Sequence, residues 1–204
     1  MQLRGCAGLV ASGMVNDLQK DAERCAARVR SQARAPAAQR SIRDEMSIRN
    51  AEPADAGAIA RIHVDGWRHA YREILPASYL QGLSYSQREG NWSKWLSERK
   101  LVVQVAEDNG SVIGYIAGSK EGELGKLLGL YINPTFIGKG VGKTLLAQLE
   151  ADMKPRALLL MVLKGNALGI SFYQRNGFAF TGKTEQLQVD GQSFMELEMR
   201  RESV

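Results

Sequence analysis

The chain has 204 residues, with 27 lysines and arginines against 22 aspartates and glutamates and a net charge of +5. Charged residues make up 24% and no apolar run reaches the roughly 18 residues a membrane helix needs, which excludes a spanning helix. Eight basic and five acidic side chains precede residue 46, and nineteen and seventeen follow, so the main body is close to neutral and has no dense basic face for nucleic acid. Two cysteines, Cys6 and Cys25, and two histidines, His63 and His69, supply neither a disulfide framework nor a metal-ligand set; packing or surface roles are expected for the histidines and no metal is expected.

Residues 1–45 read as an extension, flexible or partly helical, ahead of a domain over 46–204. The extension is rich in Ala, Arg, Gln and Ser, and Ala35-Pro36-Ala37-Ala38 has the character of a linker. Val15, Leu18, Ala22, Cys25 and Val29 recur at helical spacing. The apolar stretch Cys6–Val15 is short, glycine-rich and without a clean cleavage site, so it is a poor secretory signal and a cytoplasmic location is expected. Met46-Ser47-Ile48-Arg49 has the form of an alternative start.

The domain opens with a short strand from Ser47, and Asp55 is placed to cap a helix through Ile59, Ile62 and His63 towards Tyr71. A short helical piece is expected over Pro76–Leu83. Ser86-Gln87-Arg88-Glu89 reads as a capping box for a helix carrying Trp92, Trp95 and Leu96. Leu101–Ala106 and Val112–Ile116 are strands joined through Asp108-Asn109-Gly110, a hairpin turn. A strand at Leu127–Ile132, a helix from Thr144 to Met153 and a strand at Ala157–Leu163 form a β–helix–β crossover, which predicts a parallel strand pair. A helix at Ala167–Arg175 follows, then a hairpin around Asp190-Gly191 joining Phe178–Val189 to Phe194–Met199. The pattern is that of an α+β fold, an α/β sandwich with a mixed sheet and helices on both faces.

Between the crossover strand and its helix lies Gly138-Lys139-Gly140-Val141-Gly142-Lys143-Thr144. Glycines there permit positive φ and let a ligand approach the backbone, while the first N–H groups of the helix lack intrahelical acceptors. That is a phosphate cradle. An ATP-binding P-loop would need its first glycine at Ile137 and an acidic magnesium ligand after the next core strand, where Lys164 and Gly165 stand instead. The dinucleotide pattern G-x-G-x-x-G fails because its third glycine would fall on Lys143.

Tyr131-Ile132-Asn133-Pro134, the loop from Ile137 through Gly138, Lys139, Gly140, Val141, Gly142, Lys143 and Thr144, and then Leu145-Leu146 resemble the acyl-CoA pyrophosphate loop of the GNAT superfamily of N-acetyltransferases. Ile137 stands where Gln or Arg is usual. A second block, Asn166-Ala167 and Ser171-Phe172-Tyr173-Gln174-Arg175-Asn176-Gly177-Phe178, resembles the family's Asn…Phe-Tyr…Gly-Phe segment. The likeness covers roughly residues 46–200. It implies a central strand splayed from its parallel neighbour, with backbone groups of Leu130, Tyr131 and Ile132 holding the pantetheine arm and thioester, and Asn166 holding the arm on the opposite strand. It also implies acetyl-CoA as cosubstrate; residues 46–204 hold no cysteine, so no covalent enzyme intermediate is expected.

By the same resemblance, Tyr173 is the group that assists the departing thiolate. A tyrosine near pKa 10 facing a thiol near 8.5 makes complete proton transfer uphill by ~2 kcal/mol, so hydrogen-bond donation is the expected role. Many relatives place a basic Glu two residues before the Leu128-Gly129 pair, where this chain has Lys126; Glu123 is the nearest substitute. Lacking a clear base, the chain favours an amine of low pKa, such as an α-amine. The acceptor pocket implied by the resemblance is built from the first helices, with Trp67 and Tyr71 as candidates four residues apart. The expected function is acetyl transfer from acetyl-CoA to a small-molecule or peptide primary amine in a ternary complex. The alternative is a non-catalytic acyl-CoA-binding module, and the fold allows a homodimer through exposed strands.

Overall fold

The computed structural model describes residues 46–202, so the helical reading of Val15–Val29 and the linker reading of Ala35–Ala38 lie outside the described residues. Seven strands form one sheet in the order β1-β2-β3-β4-β5-β7-β6. They are β1 (Met46–Asn50), β2 (Val102–Asp108), β3 (Ser111–Glu121), β4 (Leu124–Ile132), β5 (Ala157–Leu163), β6 (Ala179–Val189) and β7 (Gln192–Glu202). The helices are α1 (Ala56–Ala70), α2 (Ala77–Gly82), α3 (Tyr85–Glu98), α4 (Val141–Met153) and α5 (Ala167–Arg175). The expected α+β sandwich is present, and the crossover behaves as predicted: β4 and β5 are parallel while the other pairs are antiparallel.

Alternation along β3 sends its side chains to two separate cores. Ile116 joins Leu145, Leu146 and Leu149 of α4, all essentially excluded from water, on one face. Tyr115 and Ala117 face Ile59, Ala60 and Trp92 of α1 and α3 on the other. Each such leucine removed from water contributes about 2 kcal/mol. A third cluster packs Val64 and Trp67 of α1 with Leu163 of β5 and Leu187 and Val189 of β6.

Three local expectations change. Asp55 stands at the start of α1 but gives it no side-chain cap. Its carboxylate instead accepts from Arg49 at 2.7 and 2.8 Å and from the Glu52 N–H at 2.7 Å, because a charged guanidinium is the stronger partner. The cap of α3 is Ser84 rather than Ser86: Ser84 has extended backbone and accepts from the Gln87 N–H, so the helix begins earlier, at Tyr85. Finally β4 starts at Leu124, three residues before the apolar run, because Gly122 at φ 60° closes a β3–β4 hairpin.

Candidate active site

Parallel pairing of β4 with β5 runs only from Leu124↔Ala157 to Leu127↔Leu160. Beyond it, β4 keeps its ladder with β3 through Ile132, with a bulge opposite Ala117/Gly118 that leaves Leu128 as the extra residue. Leu130, Tyr131 and Ile132 therefore have no strand partner on the β5 side, and the two parallel strands diverge at the middle of the sheet. Pro134 cannot continue the ladder, and the chain turns through a 3-10 turn, Pro134–Phe136.

The glycine loop follows at once. Gly138 and Gly140 sit at φ 84° and 89°, where an L side chain would be strained, and a Cβ at either would meet open space. Backbone conformation, not crowding, is thus what demands glycine. Gly140 is the N-cap of α4, so the helix starts at Val141, three residues before the expected Thr144. The Thr144 N–H already bonds the Gly140 carbonyl at 3.2 Å, which makes Val141, Gly142 and Lys143 the residues whose N–H groups precede the first helical bond. Lys139 lies over the Phe136 ring at 4.6 Å, and Ile137 is exposed.

Across the divergence, Asn166 follows β5 and caps α5 by accepting from the Gly169 N–H at 3.0 Å. About two helical turns later, Tyr173 is half-buried between Phe172 and Phe178, with ring centres 5.3 and 5.6 Å away. Burial pushes its hydroxyl well above the ordinary tyrosine range, with a smaller contribution from Tyr71.

On the opposite face a cavity of about 290 Å³ is walled by α1, β3, β4, β5 and the β6–β7 hairpin. Trp67 and Tyr71 both line it, with ring centres 5.1 Å apart, and Trp67 is also a core residue, only 8% exposed. Tyr71 and Tyr131 hydroxyls approach to 3.4 Å. Gly66 lets α1 lie against Tyr131, since a Cβ there would come within 2.6 Å of the ring. Burial raises the Tyr131 pKa far above its ordinary value and raises that of Tyr71, so both hydroxyls stay protonated.

Several cavity residues were not singled out for the site from sequence. His63 is 2% exposed, stacks against Trp67 and Tyr131, and shares a 2.8 Å hydrogen bond between Nδ1 and the Tyr115 hydroxyl. Burial first, and the Arg88 charge second, push its pKa well down, so it is neutral. Its α1 spacing with Trp67 was legible; its place in a cavity was not. Glu185, Glu196 and Glu198 enter from β6 and β7. Lys126 also lines the cavity and bonds Glu121 at 3.0 Å. Glu123, the expected substitute base, does not reach the cavity: it sits at the β3–β4 turn, 75% exposed, facing Arg156 at 3.5 Å. Its position at the far end of β4 from the divergence is the reason. Among the described residues no group of His, Cys, Asp and Glu is arranged to hold a metal ion.

A sheet with a parallel pair that parts midway, a glycine loop at the parting strand and an aromatic cavity behind it define a class of acyl-group transferases. The acetyltransferase (GNAT) family model matches residues 64–178, and the chain belongs to that family. It is 38% identical over 109 residues to an uncharacterized N-acetyltransferase, YuaI, of Bacillus subtilis, a match that spans 50% of this chain and 61% of that protein. It is 29% identical over 168 residues to a spermidine N(1)-acetyltransferase of Thermoplasma acidophilum, covering 78% of this chain and 99% of that one. Among solved structures, the PaiA N-acetyltransferase of Thermoplasma acidophilum in complex with coenzyme A superposes with TM-score 0.64 at 25% identity, covering 78% of this chain and 99% of that chain. A ribosomal-protein-alanine N-acetyltransferase from Brucella melitensis superposes with TM-score 0.60 at 27% identity, over 77% and 99% of the two chains.

Proposed function

We propose that this protein transfers an acetyl group from acetyl-CoA to a primary amine by direct attack in a ternary complex. The observation that carries the reading is the loss of β4–β5 pairing after Leu127↔Leu160, directly beside a positive-φ glycine loop at the start of α4. The diphosphate of acetyl-CoA lies on the N–H groups of the loop from Ile137 to Thr144, with Lys139 and Lys143 adding charge. The pantetheine arm lies in the opening along Leu130, Tyr131 and Ile132, bonded by the backbone groups of Leu130 and Ile132 that face away from β3 and by Asn166. The thioester then reaches the level of Tyr173, and the acceptor occupies the cavity walled by Trp67 and Tyr71.

The amine lone pair attacks the thioester carbonyl carbon, forming the C–N bond; the C–S bond then breaks and the electron pair leaves with sulfur. Tyr173, kept protonated by burial, donates a hydrogen bond to the developing thiolate. The nitrogen sheds a proton to solvent as it becomes an amide and the thiolate takes one up from solvent, so amide and thiol form while Tyr173 keeps its own proton throughout. Two related proteins bear names specifying amine acceptors, spermidine for one and a ribosomal-protein alanine for the other, which supports an amine here.

Thiol release from acetyl-CoA against a panel of primary amines, run beside calorimetry with coenzyme A, tests the proposal. Tight coenzyme A binding with amine-dependent release is expected. Binding without release for any amine would make the protein an acyl-CoA-binding module, and no binding would remove the cradle.

A further inference from the structure

We propose that Glu196 is the general base that accepts the proton of the acceptor's ammonium group, and that the acceptor is therefore an ordinary alkylammonium rather than an amine of low pKa. This rests on the acetyl-transfer reading above. The strand that supplies a basic carboxylate in many similar chains carries Lys126 here, tied to Glu121 at 3.0 Å. Glu196 enters the same cavity from the other side: it pairs with Leu163 at the end of β5, where β5 has already parted from β4.

Three features separate Glu196 from its neighbours. It is half-buried and its carboxylate has no hydrogen bond or ion pair among the described residues. Glu198, two residues on, accepts from the Thr181 hydroxyl at 2.8 Å and faces Lys183. Glu185 is directly opposite Glu196 in the β6–β7 register but lies exposed at the rim. Two carboxylates facing each other across strands repel, a cost that a bound cation would relieve. On the floor, His63 and Trp67 are both more than nine-tenths buried.

The groups facing Glu196 do not compete for the role. His63 is neutral, with its Nδ1 shared with Tyr115 and its basicity suppressed by burial. Tyr71 and Tyr131 hold their protons, and Lys126 is paired with Glu121. Tyr71 lines the same cavity as Glu196, whose charge helps raise the Tyr71 pKa. Burial, and then Glu185, raise the Glu196 pKa above the ordinary carboxylate value, which narrows its gap to an ammonium. Glu196 takes one proton from R–NH3+, the freed amine attacks, the second proton leaves to solvent as above, and Glu196 returns its proton to solvent at the cavity mouth.

The test is the pH profile of kcat/KM for Glu196→Gln against wild type, using an alkylamine of pKa near 10. At pH 7 less than about one part in a thousand of such an amine is free, so the variant should lose ~100- to 1000-fold. The deficit should shrink about tenfold per pH unit as the amine deprotonates itself, and should be small at any pH for an amine of pKa near 7. Glu196→Asp should keep the wild-type profile shape at reduced rate. Coenzyme A affinity should be unchanged in both variants, and the circular dichroism melt of Glu196→Gln should be no lower than that of wild type, since the change removes the repulsion from Glu185. A deficit independent of pH and of amine pKa, or no deficit, overturns the assignment while leaving the acetyl-transfer reading standing. Loss of coenzyme A binding by the wild type would sink that reading instead.

Discussion

Tyr173 shows how one side chain is given a role by its surroundings. Phe172 and Phe178 flank it edge-on, and burial holds its hydroxyl protonated across the working pH range. Full ionisation to rescue a thiolate is then more costly than the ~2 kcal/mol separating the free groups, so only a hydrogen bond is affordable. Tyr173→Phe should therefore reduce kcat by ~10- to 100-fold, with coenzyme A affinity by calorimetry within about twofold of wild type. Unchanged kcat would remove the hydroxyl from the reaction. Asp55 teaches the converse lesson: a residue suited to a helix cap is drawn off by a guanidinium on the neighbouring strand.

At the scale of elements, the junction from β4 to α4 depends on backbone conformation more than on side chains. Gly140, at φ 89°, serves as the N-cap and turns the first N–H groups of α4 outwards. Gly140→Ala places a Cβ in the left-handed region at a cost of about 1–2 kcal/mol. The expected outcome is a coenzyme A affinity reduced by about tenfold or more, with a lower melting temperature that coenzyme A recovers only in part. An unaltered affinity would show that the loop does not hold the diphosphate. The β6–β7 hairpin forms the other wall of the cavity: strand register sets Glu196 opposite Glu185 and beside Leu163.

For the whole molecule, the sheet separates two faces and the parting of β4 from β5 connects them. The cavity face also imposes a pH dependence. His63 has a folded-state pKa well below its unfolded value near 6.5, so only the unfolded chain takes up its proton as pH falls past 6.5. Unfolding free energy should hence decline from pH 7.5 towards 5.5, by at most about 1.4 kcal/mol per unit, and His63→Gln should flatten that slope. Glu196 acts in the opposite sense: its raised folded pKa makes the native state bind a proton more readily just above 4.5, but it is only half-buried and the opposing effect is smaller. Asp55, held low by Arg49, matters only below about pH 4. Denaturant titrations at fixed pH steps would measure the balance, and stability rising between pH 7.5 and 5.5 would contradict it. Among the described residues no helix is long and apolar enough to cross a membrane.

What the chain's order of residues determined unaided was whatever depends on neighbours a few positions apart. Period-two and helical spacing identified the strands and helices, and two motif blocks placed the glycine loop, Asn166 and Tyr173 at one end of a parallel crossover. Turn and cap details slipped by one or a few residues at Gly122, Ser84 and Gly140, because an N-cap or hairpin is chosen by backbone conformation that several adjacent residues could supply. Which carboxylate shares a cavity with Lys126 was hidden for a different reason. Glu123 is near Lys126 along the chain yet exposed at a turn, whereas Glu196 is seventy positions from Lys126 and shares its cavity. Only the insertion of β7 between β5 and β6 brings it there, and a long-range strand order of that kind leaves no periodic trace in the residues it unites.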